Sequence, residues 1–570
     1  MKNQQVAELL YQIADLLDLK GENFFKTRAY RIAAQTIDVL DKDIEDVVKE
    51  KRLRDIPGVG EALAKKITEF VETGKLEYFE NLKKEIPADL LKMLDISGLG
   101  SKKVAALYNN LGIKTIDELR KACEKGKVRE LEGFGEITER NILRGIQLMD
   151  KTSGRVLLNV AYEDAEKYID YLKKFDKIKR LSIAGSIRRM KETIGDLDIL
   201  ASSENPNKVM EYFVKYNYVD RILMKGSTKS SVVLDDGLQV DLRVVDDNSF
   251  GAALQYFTGS KEHNVKMRSL AIKKGYKLNE YGLFSKKNDK YIVGKNEEDI
   301  YQKLGLKYIE PELRENRGEI EAAKKNLPKL VKHDDIKGDL HIHSNYSDGF
   351  ETIETLAKYA KKIGYEYIGI ADHSQSLRVA QGLTEKQIDK KIKEIEKINK
   401  KIPEIRVLCG TECDIKPDGA LDYDNKILKK FDFVIIGIHT AFKMNQKDAT
   451  NRIIKGIQSK YSNILAHPSC RLIMRREPLD LDMEKIIDAA IENDTALEIN
   501  AFPDRLDLND FYAKIAKDKG GSFAIGTDAH ILKHMNFMQF GVATAQRGWL
   551  EKKDIINTYS LKELGKIFEI

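Results

Sequence analysis

The chain has 570 residues, of which 42% are hydrophobic and 33% are charged, and its formal net charge at pH 7 is +6. This composition fits several globular, soluble domains of roughly 100–200 residues each, and the charge alone does not identify a nucleic-acid partner. No run of the sequence approaches the roughly 20 apolar residues of a membrane span, so we expect no membrane partner.

The cysteines and the N-terminal segment indicate the cellular compartment in which the protein is expected. Cys123, Cys409, Cys413 and Cys470 show no C-x-x-C spacing, which argues against both a disulfide framework and a zinc knuckle. A reducing cytoplasm is therefore expected. Residues 1–21 have the pattern of an amphipathic helix rather than that of a signal peptide.

A short glycine pattern recurs three times in the N-terminal part, each time between helix-like stretches. The copies are I-P-G-V-G, I-S-G-L-G and L-E-G-F-G. A glycine hairpin at a helix N-terminus exposes N–H groups and a positive dipole end, which suits a phosphate. One such turn often only caps a helix, but three copies predict helix-hairpin-helix motifs that bind DNA phosphates without sequence preference. The predicted DNA-binding glycines are Gly58, Gly60, Gly98, Gly100, Gly133 and Gly135.

Residues 185–198 read G-S-I-R-R-M-K-E-T-I-G-D-L-D, a Gly-Ser turn with two arginines and then two aspartates. Apolar runs on either side predict short strands. Alternate residues of a strand point to one side, so Asp196 and Asp198 should share a face. Ser186 and Arg189, on the turn upstream, could hold a triphosphate with hydroxyl, amide and guanidinium donors.

A third acid, Asp241, lies in the strand-like run 239–245 and could come alongside the first two. Three carboxylates on neighbouring strands can hold two Mg²⁺ or Mn²⁺ ions for in-line phosphoryl transfer. An isolated D-x-D on a strand is common and usually not catalytic. The Gly-Ser turn and the two arginines at a fixed distance favour the catalytic interpretation here.

Residues 256–268 read Y-F-T-G-S-K-E-H-N-V-K-M-R, an aromatic pair before a Thr-Gly turn. Alone, such a pair is usually a packed helix end. Together with the Gly-Ser turn and the three aspartates, this segment resembles the family X DNA polymerases, which are related to DNA polymerase beta. The resemblance covers residues 1 to about 315.

This resemblance implies roles in nucleotide selection. Tyr256 and Phe257 would lie along the incoming sugar, and the Thr-Gly backbone at Gly259 would exclude a ribose 2′-hydroxyl. Asn264 would reach the minor-groove edge of the incoming base and Arg268 the template strand, where acceptors shared by all base pairs allow a test of pair shape. The other nucleotide-binding residues that the resemblance implies are Gly185, Ser186, Arg189 and Gly195.

The resemblance also singles out several lysines. It implies that Lys229 binds DNA, and it matches Lys66 to a lysine with which some members remove a 5′-deoxyribose phosphate through a Schiff base. Lys26 and Tyr30 match nearby phosphate contacts. Lysines on a DNA-facing helix usually serve only as charges, so both interpretations of Lys66 stay open. Lys261 departs from animal relatives, which often carry an acidic residue there, and this leaves nucleotide affinity open.

The last 235 residues contain a second predicted site. Six of the nine histidines of the chain fall in this region within one layout, an apolar strand whose C-terminal end bears polar side chains, followed by a helical stretch. Seven such units predict a (β/α) barrel with its site on the C-terminal rim. The predicted strands begin at Asp339, Tyr367, Arg406, Phe433, Asn463, Ala496 and Phe523.

Histidine and carboxylate side chains at the strand ends suit Zn²⁺, Mn²⁺ or Fe²⁺. A single histidine in such a place is more often satisfied by local hydrogen bonds, but here nine candidates converge. Residues 336–570 resemble the polymerase-and-histidinol-phosphatase (PHP) family. The residues that match its metal ligands are His341, His343, Asp348, His373, Glu412, His439, His467, Asp528 and His530.

The PHP resemblance implies a site for up to three ions, with Glu412 bridging two of them, and metal-dependent phosphoester hydrolysis. In bacterial family X enzymes this domain is associated with 3′→5′ exonuclease activity and 3′-end processing. Arg471 is an expected phosphate contact, Cys470 has no expected ligand role, and His534 is expected at the surface. The lysine-rich stretch 386–401 is predicted to be a solvated helix face.

The predicted fold class is multidomain: a helical helix-hairpin-helix region, a nucleotidyltransferase palm with a mixed sheet, and a C-terminal (β/α)7 PHP barrel. The predicted domains are a lyase-like DNA-binding domain at 1–85, a fingers-type helix-hairpin-helix region at 86–150, the palm at 151–248, a nucleotide-selecting thumb at 249–315, a linker at 316–335 and the PHP nuclease at 336–570.

These features predict a template-directed DNA polymerase that fills short gaps in base-excision-type repair, with a metal-dependent 3′→5′ exonuclease. The expected partners are gapped or nicked double-stranded DNA, deoxynucleoside triphosphates, two Mg²⁺ or Mn²⁺ ions at the palm, and up to three Mn²⁺, Zn²⁺ or Fe²⁺ ions in the barrel. We expect a cytoplasmic monomer that associates with the nucleoid through DNA. The alternatives are a repair polymerase whose barrel is only structural, and a non-templated nucleotidyltransferase.

Overall fold

A computed structural model of the chain describes all residues except 1, 39, 41, 95, 97, 98, 153 and 570. It divides into two compact units, Met1–Ser153 with Met474–Glu477, and Gly154–Ile473 with Pro478–Ile570. Within the described part of the chain, no helix combines the length and the apolar character that crossing a membrane requires. The four cysteines are buried, and none of them forms a disulfide bond.

The described part of the N-terminal unit is helical. Its α-helices are Lys2–Leu19 (α1), Phe24–Asp38 (α2), Ile44–Lys49 (α3), Glu61–Thr73 (α4), Glu77–Glu85 (α5), Ala88–Met93 (α6), Ser101–Leu111 (α7), Ile116–Glu124 (α8) and Gly135–Thr152 (α9).

One apolar core runs through this unit. In α1 the apolar residues recur at three- and four-residue intervals and are buried, from Val6 to Leu17. The same core continues through α4 and α7 to Ile146 in α9. The boundary expected at residue 85 therefore lies inside a single core.

The second unit begins with a mixed sheet. Its elements are Val156–Leu157 (β1), Leu158–Leu172 (α10), Arg180–Ile183 (β2), Gly185–Arg188 (α11), Thr193–Ile194 (β3), Asp196–Ser202 (β4), Pro206–Phe213 (α12), Val219–Lys225 (β5), Lys229–Leu234 (β6) and Gln239–Val245 (β7). Five strands form the sheet in the order β2-β4-β7-β6-β5, in which only the pair β4 and β7 is parallel. We call this the central sheet.

Helices and a small antiparallel sheet follow. They are Phe250–Thr258 (α13), Lys261–Lys273 (α14), Tyr276–Asn279 (β8), Gly282–Ser285 (β9), Tyr291–Val293 (β10), Glu297–Lys303 (α15) and Glu319–Ala323 (α16). The segment 316–335 packs against this region. Its Glu319 is buried and lies 2.7 Å from the Nδ1 of His263, so the segment is not an open tether.

The C-terminal part forms a parallel barrel. Its elements are Gly338–Ile342 (β11), Ile353–Lys362 (α17), Tyr367–Ile370 (β12), Glu385–Lys401 (α18), Arg406–Asp414 (β13), Asn425–Leu428 (α19), Phe433–Gly437 (β14), Gln446–Ile457 (α20), Ile464–Leu465 (β15), Met483–Glu492 (α21), Ala496–Asn500 (β16), Asp510–Asp518 (α22), Phe523–Gly526 (β17), Met538–Arg547 (α23) and Leu561–Phe568 (α24).

The seven strands pair in chain order from β11 to β17, all parallel. The barrel nearly closes, because Ile342 bridges to Ala529 and the His343 N–H donates to the Ala529 carbonyl at 2.8 Å. All C-terminal strand ends therefore meet on one rim. The predicted fold class is confirmed, from the helical N-terminal region through the mixed sheet to the seven-stranded barrel.

Helix α18 has the predicted solvated face, with one exception: all of its lysines but Lys391 are exposed. Its other side is buried and includes Ile388, Ile395 and Lys391. The Nζ of Lys391 is fully buried, 2.8 Å from the Asp372 carboxylate, and also donates to two strand carbonyls. The carboxylate and carbonyls of the barrel interior provide the partners that a buried ammonium needs.

Candidate active sites

The central sheet brings the three predicted aspartates together. Strands β4 and β7 are parallel, and their register sets Asp198 directly opposite Asp241. Asp196 lies two residues before Asp198 and shares its face, opposite Gln239. Asp196 is exposed, Asp198 is half-buried and Asp241 is buried. The face thus presents carboxylates at three depths.

Repulsion among these carboxylates is visible in their pKa values. Burial, together with the charges of Asp196 and Asp241, raises the pKa of Asp198 to about 7. Burial would also raise the pKa of Asp241, but hydrogen bonds from Lys229, Gln239 and Ser231 lower it below its usual value. The Lys229 ammonium lies 2.8 Å from Asp241. Three clustered carboxylates with one lysine suit divalent cations.

Gly185 allows the Gly-Ser turn to pack against this acidic face. Its φ is +65°, and a Cβ at this position would overlap the carboxylate of Asp198. The neighbouring Ala184 N–H donates to the Asp198 carbonyl at 2.8 Å. The turn therefore packs directly on β4, and Ser186, the next residue of the turn, is half-buried. Gly195, just before β4, lies against the Arg155 guanidinium.

The two arginines of the turn bind the second motif. Arg188 donates to the Thr258 hydroxyl at 2.7 Å and to Glu297 at 2.8 Å. Arg189 donates to Glu315 at 3.0 Å and to the Thr258 carbonyl. The side chain of Arg189 is only 12% exposed. The residue expected to hold a triphosphate is thus paired with Glu315 in this structure.

The other predicted nucleotide-binding residues lie at the end of α13 and on α14. Tyr256 and Phe257 are half-buried and in edge contact, and Gly259 ends α13 with a φ of +70°. The Asn264 side chain donates to the Tyr256 carbonyl at 2.6 Å. Arg268 is half-buried one turn further along α14. Lys261 is exposed at the start of α14.

In the barrel, Glu412 lies at the centre of five imidazoles. Its Oε1 lies 2.9 Å from the Nε2 of His439 and 3.0 Å from that of His467. Its Oε2 lies 3.0 Å from the His373 ring. The same oxygen lies 3.4 Å from His341 and 3.5 Å from His343.

Two aspartates complete this group, which we call the barrel cluster. Asp528 lies 3.1 Å from the Nε2 of His343. Asp348 lies 3.6 Å from both His343 and His373 and 3.5 Å from His530. All nine predicted ligands are therefore brought together at the C-terminal ends of the strands.

The barrel cluster fits metal ions. Within each of three groups the ligand atoms lie within 4.8 Å of one another, and one group overlaps with the other two through His343 and His373. Several polar atoms in the described structure are buried without a hydrogen bond, including both ring nitrogens of His343 and the Nε2 of His341. Buried imidazole nitrogens without partners are costly unless an ion uses them.

The pKa values in the cluster follow from this pairing. Burial opposes ionisation of Glu412 and Asp528, but the surrounding histidines hold the pKa of both carboxyls well below the usual range. Burial would lower the pKa of His439 and His530, yet the nearby carboxylates raise both pKa values to about 9. Metal ions binding here would displace those protons.

Side chains behind the cluster orient its imidazoles. Glu498 lies 2.6 Å from the Nδ1 of His341, and Asp414 lies 3.3 Å from the Nδ1 of His439. Asn500 donates to Asp528 at 3.2 Å. Carboxylates of this kind fix the ring orientation of metal-bound histidines. Asp414 was not predicted from the sequence, although it follows Glu412 by two residues on β13.

One expectation about the barrel is wrong, that for His534, and the expected phosphate contact of Arg471 stays a prediction. Arg471 donates at 2.9 Å to the Arg505 carbonyl, at 2.6 Å to the Leu506 carbonyl and at 2.8 Å to Glu192, so protein acceptors already bind its guanidinium. His534 is half-buried, not at the surface, because it packs between Phe502 and Phe537.

In the N-terminal unit, each glycine hairpin buries its apolar residue, and the hairpin glycines among the described residues are exposed. Val59, Leu99 and Phe134 are buried. Helices α4, α7 and α9 begin at or directly after these hairpins. Gly98 lies outside the described residues. The exposed hairpin glycines are Gly58, Gly60, Gly100, Gly133 and Gly135.

Lys66 has the surroundings of a reactive amine. Its Nζ donates to the Tyr30 hydroxyl at 2.9 Å and lies 4.1 Å from the centre of the Tyr78 ring. Burial, and then the charge of Lys26, lower the pKa of Lys66. A lowered pKa leaves more of the amine neutral and nucleophilic.

Comparisons with protein families agree with this division. A helix-hairpin-helix domain model matches residues 1–76, and a SAM-like helix-hairpin-helix tandem model matches residues 90–147. A DNA polymerase beta thumb model matches residues 253–315, and a PHP domain model matches residues 339–502.

Individual relatives resemble either the whole chain or the barrel. The DNA polymerase/3′-5′ exonuclease PolX of Bacillus subtilis (strain 168) is 37% identical over 566 residues, which cover 99% of each chain. A probable phosphatase of Thermoanaerobacter sp. (strain X514) is 28% identical over 242 residues, 40% of this chain and 92% of that protein. A probable phosphatase of Acetivibrio thermocellus is 27% identical over 202 residues, 34% of this chain and 79% of that protein.

Proposed function

The chain belongs to the family X DNA polymerases that carry a C-terminal PHP domain, and from this premise we propose that it fills short gaps during DNA repair, with one metal centre for each of its activities. It is a DNA polymerase and a 3′→5′ exonuclease. We assign polymerisation to the central sheet and exonuclease activity to the barrel cluster. The observation that carries this assignment is the presence of two separate ligand sets, Asp198 opposite Asp241 and the imidazoles around Glu412.

In the polymerase centre, Asp196 and Asp198 would bind both metal ions, and Asp241 would bind the ion nearest the primer 3′ end. Two Mg²⁺ or Mn²⁺ ions, when bound, would neutralise the triphosphate and make the primer 3′-hydroxyl more acidic. Lys229 would leave Asp241 and bind the DNA backbone once an ion takes its place. The raised pKa of Asp198 supports this proposal, since burial and the neighbouring carboxylates disfavour its ionised form and a bound cation would stabilise it.

Ser186, Arg189 and the backbone at Gly195 would bind the triphosphate of a deoxynucleotide. Arg189 would exchange Glu315 for phosphate oxygens, which its planar guanidinium matches in pairs. Tyr256 and Phe257 would contact the sugar, with the Gly259 turn excluding a 2′-hydroxyl. Asn264 and Arg268 would probe the minor groove of the new base pair.

In the exonuclease centre, the nine residues of the barrel cluster would hold up to three ions. Mn²⁺, Zn²⁺ or Fe²⁺, when bound there, would polarise the 3′-terminal phosphodiester and activate water. Glu412, which faces five imidazoles, would contribute a carboxylate to more than one of these ions. Glu498 and Asp414 would keep His341 and His439 in the orientation that ligation needs.

The N-terminal unit would hold the gapped DNA through its hairpin backbone amides. We propose that the protein acts as a monomer.

Lys66 would form a Schiff base with a 5′-deoxyribose phosphate, and its lowered pKa supports this role. Borohydride trapping on a nicked abasic duplex tests it. A covalent adduct should form with the parent chain and disappear with Lys66→Ala, whereas Lys65→Ala, an exposed neighbour on α4, should trap normally.

Primer extension and 3′ degradation on one gapped duplex test the assignment of the two centres. Asp196→Ala should abolish extension and leave binding and degradation intact. His343→Ala should do the reverse. If either substitution removed both activities while the protein stayed folded, the assignment of separate centres would be wrong.

A further inference from the structure

An arginine with few protein partners faces the barrel cluster. Arg505 lies in the loop after β16, its side chain is 21% exposed, and its Nε lies 3.5 Å from the Oδ2 of Asp528. Among the described residues, no hydrogen-bond acceptor is recorded for its guanidinium. Its terminal nitrogens can therefore donate hydrogen bonds to a ligand bound beside the barrel cluster.

The two carboxylate oxygens of Asp528 have different neighbours. Oδ1 faces the cluster, 3.1 Å from His343. Oδ2 accepts a hydrogen bond from Asn500 at 3.2 Å and is the oxygen nearest Arg505. Arg505 thus lies at the edge of the cluster and not in its ligand set. A planar fork of donors in this position matches the oxygens of a phosphate that contacts the ions.

The loop of Arg505 is fixed by a contact with the polymerase region. Arg471 donates to the carbonyls of Arg505 and Leu506, and the same guanidinium binds Glu192 at 2.8 Å. Glu192 belongs to the segment between α11 and β3, beside the Gly-Ser turn. In the same region Arg547 of α23 donates to the Arg189 carbonyl at 2.6 Å. The polymerase turn therefore contacts the barrel at two points.

We propose that Arg505 binds the phosphate of the DNA 3′ end in the exonuclease centre, and that Glu192, acting through Arg471, positions it. This inference rests on the proposed location of the exonuclease in the barrel. Its ligand class is a nucleotidyl phosphate, either the terminal phosphodiester of the substrate or the deoxynucleoside monophosphate product. Arg505 would contact the substrate phosphate and is therefore a catalytic residue. Arg471 and Glu192 would act through Arg505 and are positioning residues.

The test compares Arg505→Ala and Arg505→Lys with the full-length parent. Arg406→Ala is the matched control, because Arg406 is an exposed arginine at the opposite end of a barrel strand. Each variant is assayed for 3′ degradation, for bound manganese by mass spectrometry, and for inhibition by deoxyadenosine monophosphate and by deoxyadenosine.

The proposal gives a distinct pattern of results. Arg505→Ala should lower kcat/KM of degradation about 100-fold with unchanged manganese content, and added guanidinium should restore part of the rate. Inhibition by the monophosphate should weaken about tenfold, while that by deoxyadenosine should not change. Arg505→Lys should fall between, because it keeps the charge but not the fork. Loss of manganese in step with activity, or unchanged monophosphate inhibition, would overturn the proposal.

Glu192→Ala tests the positioning role. It should raise KM of degradation about fivefold, and it should add nothing further in a chain that already carries Arg505→Ala. A further loss in the double variant would overturn the link from Glu192 to Arg505. Glu412→Ala separates the two levels of the account. If degradation survives it, the barrel assignment fails; if it is lost there but not in Arg505→Ala, only the Arg505 inference fails.

Discussion

The central sheet and the barrel cluster both gather acidic side chains, but they stabilise them differently. Asp196, Asp198 and Asp241 repel one another, and Arg243 and Lys229 are the nearby cations that partly offset this repulsion. In the barrel, Glu412 is surrounded by imidazoles, and further carboxylates lie behind these rings. The barrel is therefore organised before any ion arrives, whereas the sheet needs cations to relieve its own repulsion.

This difference matches the two kinds of chemistry. A polymerase centre receives metal ions together with each triphosphate, so a site that gains stability only on loading suits repeated exchange. A hydrolytic centre acts on one DNA end after another with resident ions. We therefore expect metal ions to remain in the barrel under conditions that empty the central sheet.

The largest expected effect is at the centre of the barrel. Glu412→Gln removes the charge that faces five imidazoles, so bound manganese should be lost and 3′ degradation should fall by about 1,000-fold or more. Extension should stay within about twofold of the parent. Elemental analysis and paired assays measure both. Glu366→Gln, an exposed acid just before β12, is the control, and an equal loss of extension in Glu412→Gln would contradict the separation of the centres.

The next effect concerns the stability of the barrel. Lys391→Ala leaves the buried Asp372 carboxylate without its ammonium partner and should lower the free energy of unfolding by about 3–5 kcal/mol. Calorimetry of the variant against Lys397→Ala, an exposed lysine on the same helix, measures the difference. Equal transition temperatures for the two variants would mean that the buried pair contributes little.

A smaller effect is expected at the Gly-Ser turn. Gly185→Ala places a methyl group where the Asp198 carboxylate lies, so extension should fall about 100-fold while degradation persists. Gly364→Ala is a matched control, because Gly364 also has a positive φ, +93°, but no atom lies within 4 Å of an added Cβ. Similar extension rates in the two variants would contradict the proposed clash between the added methyl group and Asp198.

The smallest effect is a difference in pH dependence. Below pH 7 Asp198 carries a proton that a cation must displace, so the apparent Mg²⁺ affinity of the polymerase centre should rise up to about tenfold per pH unit and level off above pH 7. In the barrel, His439 and His530 have pKa values of about 9, so manganese affinity should keep rising to about that pH. Calorimetric titrations from pH 6 to about pH 9 measure both. Identical profiles would remove the proposed contrast.

Much of this architecture could be predicted from the sequence because the signals are local. Alternation along β4 placed Asp196 and Asp198 on one face, and seven apolar strands with polar ends predicted the barrel and its ligand rim. The match of these motifs to family X polymerases and the PHP family is confirmed by the relatives and the family models.

The features that could not be predicted from the sequence depend on contacts between residues that are far apart in the chain. Arg471 follows the ligand His467 closely in sequence, yet its guanidinium turns to Glu192, which lies 279 positions away. Lys391 looked solvated because its neighbours are lysines, and only the fold supplies Asp372 as its partner. No spacing in the sequence reveals such partners, so the orientations of the Arg471 and Lys391 side chains could not be predicted.

Anomalous diffraction from crystals with manganese and a non-hydrolysable deoxynucleotide tests the two-centre account most directly. The account predicts manganese peaks among Asp196, Asp198 and Asp241 only when the nucleotide is present, and peaks in the barrel around Glu412 with or without it. Peaks absent from the central sheet in the presence of nucleotide, or a barrel that holds manganese only with nucleotide, would contradict it.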